Sequence, residues 1–315
     1  MLPNTNEVRF EVSTRCNQRC LICPHWKNTF TRIKQDMPVP QFVAILEKVA
    51  DELPGITDLT LSGFGESFMN AHVMHMIKHI REVYGTKYKI HVLTNSSKIR
   101  LHEIRDLIGV VNSLRFSLHA MTPDAYMNLT GTVLNVHEAV QKVTYAIKKA
   151  EHSHLNPKLK EKTEIAITAD IPPGYEDQAS LLIDAFANME VRLEIWKPHN
   201  WVYGEKYRDI RRAEKKITCG RPFTGPIQIQ VDGTINQCCF DFNGDLLLGD
   251  TSSLSFAEIY TSDAALKIQE AHKQIDKGDL ICQMCDQIRE KDPVLLYPIS
   301  KNRENELSTT LRSIE

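Results

Sequence analysis

The sequence predicts an α/β protein: a partial (β/α)6 TIM-like barrel followed by a small C-terminal domain made of a β-hairpin and helices. Six short apolar runs rich in β-forming residues alternate with segments of helical period. Strands that are linked by single helical crossovers run parallel. The six units occupy about 200 residues, whereas a closed eightfold barrel usually needs about 250. We therefore expect an incomplete barrel.

The individual elements follow from hydrophobic periodicity. In "QFVAILEKVA" the apolar residues recur with the spacing of one helix face, and "HVMHMIKHIREVY" repeats that spacing. Thr122-Pro123-Asp124 starts a helix with a hydroxyl cap, a proline in the first turn and an early acid. Further helices run from about Val136 to Lys149 and from Asp177 to Met189. The predicted strands are Val8–Ser13, Asp58–Ser62, Lys89–Thr94, Ser113–Leu118, Glu164–Ala169 and Arg192–Trp196.

The pattern changes after Trp196. "KPHNWVYGEKYRDIRRAEKK" is polar and irregular, as expected of a linker or of a loop over the barrel mouth. "IQIQVDGTINQCC" predicts a hairpin that turns at Asp232-Gly233, and "SSLSFAEIYTSDAALKIQEAHKQ" predicts one or two helices. We therefore expect a barrel over residues 1–205, a second domain over 206–290, and a polar, peripheral tail over 291–315.

Composition narrows the possible functions and the compartment. The chain has 315 residues, a formal net charge of −2 and a pI near 6.6, which argues against nucleic acid or an anionic membrane as its main partner. It has no apolar run of about 18 residues and no secretory signal pattern, so we expect a cytoplasmic protein. Disulfides are disfavoured in the cytoplasm, so the eight cysteines of the chain are predicted to bind metal.

Three of these cysteines lie close together in "STRCNQRCLICPHW", directly after the first strand. Thiolates bind zinc or iron–sulfur clusters, and zinc sites usually complete a tetrahedron with a fourth Cys or His. His25 is the nearest fourth candidate, but Pro24 alone separates it from Cys23, which makes shared ligation awkward. Three thiolates on a cubane iron–sulfur cluster would instead leave one iron without a protein ligand. A catalytic metal site requires such an open position.

This CxxxCxxC pattern resembles the motif of the radical S-adenosylmethionine (SAM) superfamily, and the resemblance covers nearly the whole chain. It implies that Cys16, Cys20 and Cys23 hold a [4Fe–4S] cluster whose fourth iron is chelated by SAM. Ile22 stands where the family usually has an aromatic residue that contacts the adenine. This departure does not affect the ligands.

Two further segments at predicted strand ends resemble SAM-binding motifs of the family. "LSGFGES" resembles the glycine-glycine-glutamate motif in the form Phe64-Gly65-Glu66, which implies close approach of the backbone to SAM and pairing of Glu66 with its ammonium group. "VLTNSS" puts Thr94 and Asn95 where contacts to the ribose or methionine are expected. Barrel enzymes keep their sites at these ends of the strands.

The end of the fourth strand, "RFSLHAMTPD", resembles the family's "SLDG" segment. By this resemblance, Ser117 holds the SAM carboxylate. His119 stands where an aspartate is common in the family. From the residues alone, a packed or hydrogen-bonded core histidine explains His119 better than a catalytic role does.

A second cysteine set consists of Cys219, Cys238, Cys282 and Cys285. Four thiolates can close a metal site, and a rubredoxin-like zinc site is one alternative. The spacing around the hairpin resembles the auxiliary-cluster domains of radical SAM proteins, which are called SPASM when they hold two clusters and twitch when they hold one. The number of cysteines favours twitch and a second [4Fe–4S] cluster. Strand alternation lets only one of Cys238 and Cys239 reach a cluster easily, and the family pattern favours Cys238.

The resemblance also implies a reaction. A flavodoxin- or ferredoxin-type donor reduces the first cluster, SAM is cleaved to a 5′-deoxyadenosyl radical, and the radical abstracts a substrate hydrogen. Four-thiolate ligation of the auxiliary cluster favours electron transfer and net oxidation. The chain is most similar to twitch-domain dehydrogenases that act on aminocyclitols or sugars. This implies a radical SAM oxidoreductase that oxidises a secondary alcohol of a small-molecule biosynthetic intermediate.

Such an oxidation also needs a base for the hydroxyl proton. The candidates are Lys197, His199 and Tyr203 near the sixth strand end, together with His119 and Arg115. For each of these residues, a structural role in a packed loop or as a polar surface group is at least as good an explanation as the role of base.

Two other functions remain open from the sequence. One is a radical SAM isomerase, epimerase or crosslinking enzyme acting on a peptide or nucleotide, although no peptide-recognition extension is expected before Val8. The other is a non-catalytic protein with zinc at both cysteine sets.

Overall fold

The computed structural model describes residues 2–132, 135–153, 162–203, 205–209, 216–289 and 295–299. Within these ranges, no helix has the length and apolar character needed to cross a membrane. The chain forms two compact units. The first contains Met1–Cys16, Lys27–Lys89 and Asn200–Asp292, and the second contains Asn17–Trp26, Ile90–His199 and Pro293–Glu315.

The first six strands follow one another with helices between them, as the sequence predicts, and the helix Leu101–Leu107 and the strands Leu247–Asp250 and Leu295–Ile299 are additional elements. The strands are β1 (Glu7–Phe10), β2 (Asp58–Leu61), β3 (Lys89–Thr94), β4 (Ser113–Ser117), β5 (Glu164–Asp170), β6 (Arg192–Trp196), β7 (Ile227–Ile229), β8 (Thr234–Asn236), β9 (Leu247–Asp250) and β10 (Leu295–Ile299). The helices are α1 (Val39–Glu52), α2 (Val73–Tyr84), α3 (Leu101–Leu107), α4 (Pro123–Thr130), α5 (Val136–Glu151), α6 (Glu176–Phe186), α7 (Arg221–Thr224), α8 (Phe256–Tyr260), α9 (Asp263–Ala271) and α10 (Asp286–Arg289).

In the first unit, the hairpin extends the sheet that begins with β1. Strand β1 runs parallel to β2 on one side and to β7 on the other, with Val8 opposite Ile227. Strands β7, β8 and β9 then pair antiparallel. Gly233 has φ of 87°, which glycine adopts readily, so the predicted Asp232-Gly233 turn is confirmed.

In the second unit, β3, β4, β5 and β6 pair side by side in parallel, as the crossovers require. Strand β10 adds to β6 in the antiparallel direction. The sequence analysis assigns residues 291–315 to a peripheral tail. Residues 295–299 instead complete this sheet edge, and the rest of that segment lies outside the described residues.

The helices bury the faces that their periodicity predicts. On α1 the buried residues are Phe42, Ile45, Leu46 and Val49, and on α2 they are Val73, Met76, Ile77 and Ile80. Strand β1 ends at Phe10, three residues before the predicted end. The backbone beyond it turns to other partners, because Ser13 forms an isolated bridge with Asp36.

A buried carboxylate joins three parts of the first unit. Glu11 is 5% exposed and accepts hydrogen bonds from both terminal nitrogens of Arg32. It also accepts the backbone N–H of Phe64 at 3.0 Å and that of Val231 at 3.2 Å. Glu11 thus links the end of β1, the loop after β2 and the hairpin turn. The sequence analysis does not identify it.

We predict that Glu11→Gln lowers the free energy of unfolding by about 3 kcal/mol, because it leaves the Arg32 guanidinium without its buried counter-charge. Anaerobic urea unfolding of the full chain measures this change. The exposed Glu82→Gln serves as the control and should shift stability by less than about 0.5 kcal/mol. Equal stabilities for the two variants would contradict the role of Glu11.

Candidate active site and thiol-lined cavity

The loop that carries Cys20 and Cys23 is fixed by its backbone in the second unit. The N–H groups of Arg19 and Leu21 donate to carbonyls at the end of α4, each at 2.8 Å. A β-carbon at Gly131 would lie 2.7 Å from the Arg19 carbonyl oxygen, so only glycine lets this loop approach the helix end. The Cys23 N–H donates to the Cys20 carbonyl at 3.0 Å and closes a turn between the two thiols.

The end of β3 supports the same loop. Asn95 accepts a hydrogen bond from the Ser97 N–H at 3.0 Å, and its amide donates to Asn17 at 3.4 Å. Thr94 is 2% exposed, and its hydroxyl accepts the Ser96 N–H at 3.2 Å. Both residues therefore order the segment next to the cysteines. Their contact with SAM stays a prediction.

Ser117 is the last residue of β4 and lies opposite Thr168 of β5. The Thr168 hydroxyl is buried, and among the described residues it has no hydrogen-bond partner. The sequence analysis does not select Thr168, because an alternating strand gives no sign of which hydroxyl lacks a partner. Ile22 is half-buried on the cysteine loop. These residues provide polar and apolar groups near one end of this sheet.

In the first unit, the segment Phe64-Gly65-Glu66 anchors the chain just before Cys16. A β-carbon at Gly65 would lie 2.3 Å from the Ser13 carbonyl oxygen and 2.6 Å from that of Arg15. The Glu66 N–H donates to the Arg15 carbonyl at 2.8 Å. This close approach of two backbones explains the glycine without reference to a ligand.

Glu66 is 2% exposed, and one carboxylate oxygen accepts the Phe68 N–H at 3.0 Å. It thereby caps the short turn Ser67–Met69. Phe64 packs in an aromatic group, with its ring centroid 5.5 Å from that of Trp201 and 6.2 Å from that of Phe242. The predicted SAM contacts of Phe64, Gly65 and Glu66 are not tested by these structural contacts.

Tyr203 lies in this aromatic group, with its ring centroid 4.4 Å from that of Phe242. Its hydroxyl donates to the carboxylates of Asp241 and Asp245. Burial and the hydrogen bond to Asp241 raise the pKa of Tyr203 far above its usual range. Tyr203 therefore keeps its proton at neutral pH, and this geometry does not favour it as a base.

His119 follows β4 and contacts the end of β5. Its Nδ1 accepts the backbone N–H of Asp170 at 2.9 Å, which leaves the proton on Nε2. Burial lowers the pKa of His119, although the charge of Asp170 offsets part of this effect. His119 is thus a neutral hydrogen-bond donor in this arrangement.

Asp170 is the residue that the sequence analysis misses. It is the last residue of β5, and one of its carboxylate oxygens lies 3.9 Å from Nδ1 of His119. Burial raises the pKa of Asp170, and His119 and His199, in their protonated forms, oppose that rise in part. A carboxylate with a raised pKa is suited to accept a proton. The strand-end rule, applied to β5, would have identified it.

The remaining base candidates lie at strands β4 and β6. Arg115 forms an ion pair with Glu194 at 3.0 Å, and Glu194 is 3% exposed. The Arg115 guanidinium is therefore engaged by a buried carboxylate. Lys197 and His199 both follow β6 and are half-buried.

The second cysteine set surrounds a single cavity in the first unit. Cys219, Cys238, Cys282 and Cys285 line about 350 Å³ of space that is open to solvent, whereas Cys239 is not among its lining residues. Across the described residues, no three His, Cys, Asp or Glu side chains are close enough together to hold one metal ion. Four sulfur donors around a cavity fit a cluster-sized group.

Charge at this cavity is balanced by Arg221. Burial raises the pKa of Cys282 to about 12 and also raises that of Cys285. Burial lowers the pKa of Arg221, but interaction with the ionised forms of the nearby cysteines, Cys239 first, outweighs this effect and raises it. Its guanidinium carbon lies 4.6 Å from the ring centroid of Phe240. A fixed cation among buried sulfurs suits an anionic iron–sulfur group.

Solved structures with the same fold bind SAM. The structure of BtrN in complex with AdoMet and 2-DOIA has a TM-score of 0.60 and 13% identity, over 95% of this chain and 100% of BtrN. Streptococcus suis SuiB bound to precursor peptide SuiA has a TM-score of 0.66 and 13% identity, over 91% of this chain and 71% of SuiB. Native anSMEcpe with bound AdoMet has a TM-score of 0.63 and 11% identity, over 92% of both chains.

Family models give the assignment that these low identities cannot give. The radical SAM superfamily model matches residues 10–178, and an iron–sulfur cluster-binding domain model matches residues 219–286. A search of curated protein sequences finds no significant match. The two domains imply [4Fe–4S] clusters and SAM, as the sequence predicts, on a mixed α/β fold consistent with a partial TIM-like barrel. The chain belongs to the radical SAM superfamily.

Proposed function

We propose that this chain is a radical SAM oxidoreductase that converts a secondary alcohol of a sugar or aminocyclitol into a ketone. Cys16, Cys20 and Cys23 bind the cluster that works with SAM, and the second cysteine set binds an auxiliary cluster. The observation that carries the proposal is the cavity lined by four thiols. Four thiolates leave no open iron for the substrate, so the auxiliary site is suited to electron transfer.

The bound cofactors supply one chemistry: reductive cleavage of SAM to a radical that removes a hydrogen atom from carbon. The protein's own residues hold the cysteine loop, through the backbone of Arg19 and Leu21 and through Asn95. We assign SAM contacts to Ile22, Ser117 and Glu66 by their positions in the family's motifs. The domain limits 1–205 and 206–290 are part of this proposal.

Asp170 is our candidate for the base. Removal of a hydrogen atom, one electron and one proton turns a secondary alcohol into a ketone. With the cofactors bound, SAM would supply the acceptor of the hydrogen atom and the auxiliary site that of the electron, and the Asp170 carboxylate would take the proton. Its raised pKa and its neighbours His119 and His199 support this assignment. Lys197 is the alternative that the sequence offers.

The comparisons support two substrate classes. BtrN, solved with 2-DOIA, is matched over its whole length, which favours a small-molecule substrate. SuiB, solved with a precursor peptide, has a similar TM-score, which keeps peptide modification as the second candidate. A flavodoxin- or ferredoxin-type donor and a cytoplasmic location complete the proposal.

Iron content tests the two cysteine sets. We predict about eight iron atoms per reconstituted chain, with broad visible absorbance, and about four in Cys16→Ala/Cys20→Ala/Cys23→Ala. Cys238→Ala should bind less iron than the matched variant Cys239→Ala, which should equal the wild type. Stoichiometric zinc without visible absorbance would refute the proposal.

Gly65→Ala tests the anchoring of Cys16. The added methyl group would overlap two backbone carbonyls, so we predict a stability loss of about 2 kcal/mol and less iron at the first site. Gly55→Ala is the matched control, because a β-carbon there meets nothing within 4 Å. Full iron occupancy and unchanged unfolding of Gly65→Ala would show that this close approach does not position Cys16.

Asp170→Asn tests the base. With an aminocyclitol deuterated at the carbinol carbon, we predict deuterium in 5′-deoxyadenosine and a ketone product. The variant should form ketone about 100-fold more slowly but should still cleave SAM. Wild-type oxidation should fall as pH drops through the raised pKa of Asp170, since the carboxylate must be ionised.

Three outcomes separate the possibilities. Ketone formation at the wild-type rate in Asp170→Asn would exclude this residue as the base. Deuterium transfer to 5′-deoxyadenosine from peptide substrates only would replace alcohol oxidation with peptide modification, the second candidate function. Return of the label to the substrate without net oxidation would rule out a dehydrogenase.

A further inference from the structure

His272 is a buried polar group that faces the thiol-lined cavity and has no role in the function proposed so far. It follows α9, is 2% exposed, and lines the cavity together with the four cysteines. Among the described residues, nothing forms a hydrogen bond with its Nε2 atom. A buried imidazole nitrogen without a partner is costly unless a ligand satisfies it.

The hydrogen bonds behind His272 determine where its proton lies. The Gly220 N–H donates to the Thr218 hydroxyl oxygen at 3.0 Å, and that oxygen lies 2.9 Å from His272 Nδ1. The Thr218 hydroxyl hydrogen has no other acceptor among the described residues, so it points to Nδ1. Nδ1 therefore accepts, and Nε2 carries the hydrogen. Thr218 is the immediate neighbour of Cys219, so the same short segment supplies a thiol and orients the imidazole.

A buried lysine holds this arrangement in place. Lys277 is 2% exposed, and its ammonium donates to the carbonyls of Ile217 at 2.6 Å and Ala271 at 3.1 Å. It thus ties the residue before Thr218 to the residue before His272. Burial and the charge of Lys277 lower the pKa of His272 to about 4, so the imidazole is neutral. A protonated imidazole would also carry hydrogen on Nε2, so the donor does not depend on titration.

We propose that His272 donates a hydrogen bond from Nε2 to a sulfur atom of the auxiliary iron–sulfur cluster and thereby raises its reduction potential. This inference rests on the proposed function, because it requires a cluster at the four cysteines. A donor to sulfur favours the reduced cluster, which carries more negative charge. His272 is therefore a tuning residue, which makes the auxiliary site a better electron acceptor.

The test uses the full-length chain with Cys16→Ala/Cys20→Ala/Cys23→Ala. In this parent chain the measured reduction potential comes from the auxiliary cluster alone. We predict that His272→Leu reduces the equilibrium constant for cluster reduction about tenfold, which is a fall of about 59 mV for a one-electron couple. His272→Gln keeps an N–H donor at a similar reach and should restore most of the potential. Ile288→Val changes a cavity-lining apolar residue without affecting a donor, and should leave the potential unchanged.

A second measurement detects the hydrogen bond itself and not its effect on the potential. Electron–nuclear double resonance on the reduced cluster should detect an exchangeable proton that is lost in His272→Leu and kept in His272→Gln. Thr218→Val removes the donor to Nδ1 and should lower the potential by a smaller amount, because the imidazole can then exchange tautomers.

The outcomes distinguish the two proposals. If the parent chain with three alanines binds no iron, the auxiliary cluster of the proposed function fails. If it binds about four iron atoms, but His272→Leu changes neither the potential nor the proton signal, the hydrogen bond is refuted. Loss of iron from both His272→Leu and His272→Gln, with Thr218→Val fully loaded, would identify His272 as a ligand and also overturn the proposal.

Discussion

The buried carboxylate of Glu11 is the interaction on which the arrangement of the first unit depends. Burying an ionised carboxylate costs several kcal/mol unless charge and hydrogen bonds compensate for it. Here Arg32 supplies the opposite charge, and two backbone N–H groups supply the remaining bonds. These two N–H groups belong to the loop after β2 and to the turn between β7 and β8. A single group thus fixes the first barrel strand, the Phe64–Glu66 segment and the hairpin that leads to Cys238.

The two cysteine sets are supported in different physical ways. Cys20 and Cys23 lie on a loop whose shape comes from backbone hydrogen bonds to the end of α4 and from the glycine that permits that approach. The auxiliary thiols instead line a cavity whose lining also contains a cation, Arg221, and an imidazole, His272. The first set is thus supported by backbone geometry, whereas the second lies beside a fixed charge.

Secondary structure and motifs could be predicted from the sequence because both depend on local patterns. The period of α1 and the Asp232-Gly233 turn gave the correct elements. The candidates for the base are harder to rank from the sequence. Tyr203 forms hydrogen bonds to two carboxylates, and Arg115 forms an ion pair with Glu194, whereas Asp170 stands beside His119. Residue type alone does not reveal which groups are already paired, and pairing and burial decide which of them can accept a proton.

The sequence by itself determined the family and the order of strands and helices, because cysteine spacing and hydrophobic period are properties of the linear chain. The tertiary structure alone decided that Gly65 is required by two backbone carbonyls and that Thr218 contacts His272 in the lining of the thiol cavity. It also decided that β10 completes a sheet edge, although the sequence predicts a tail over its residues. The physical reason is that burial, charge compensation and hydrogen-bond direction arise between residues far apart in the chain, and no local pattern encodes them.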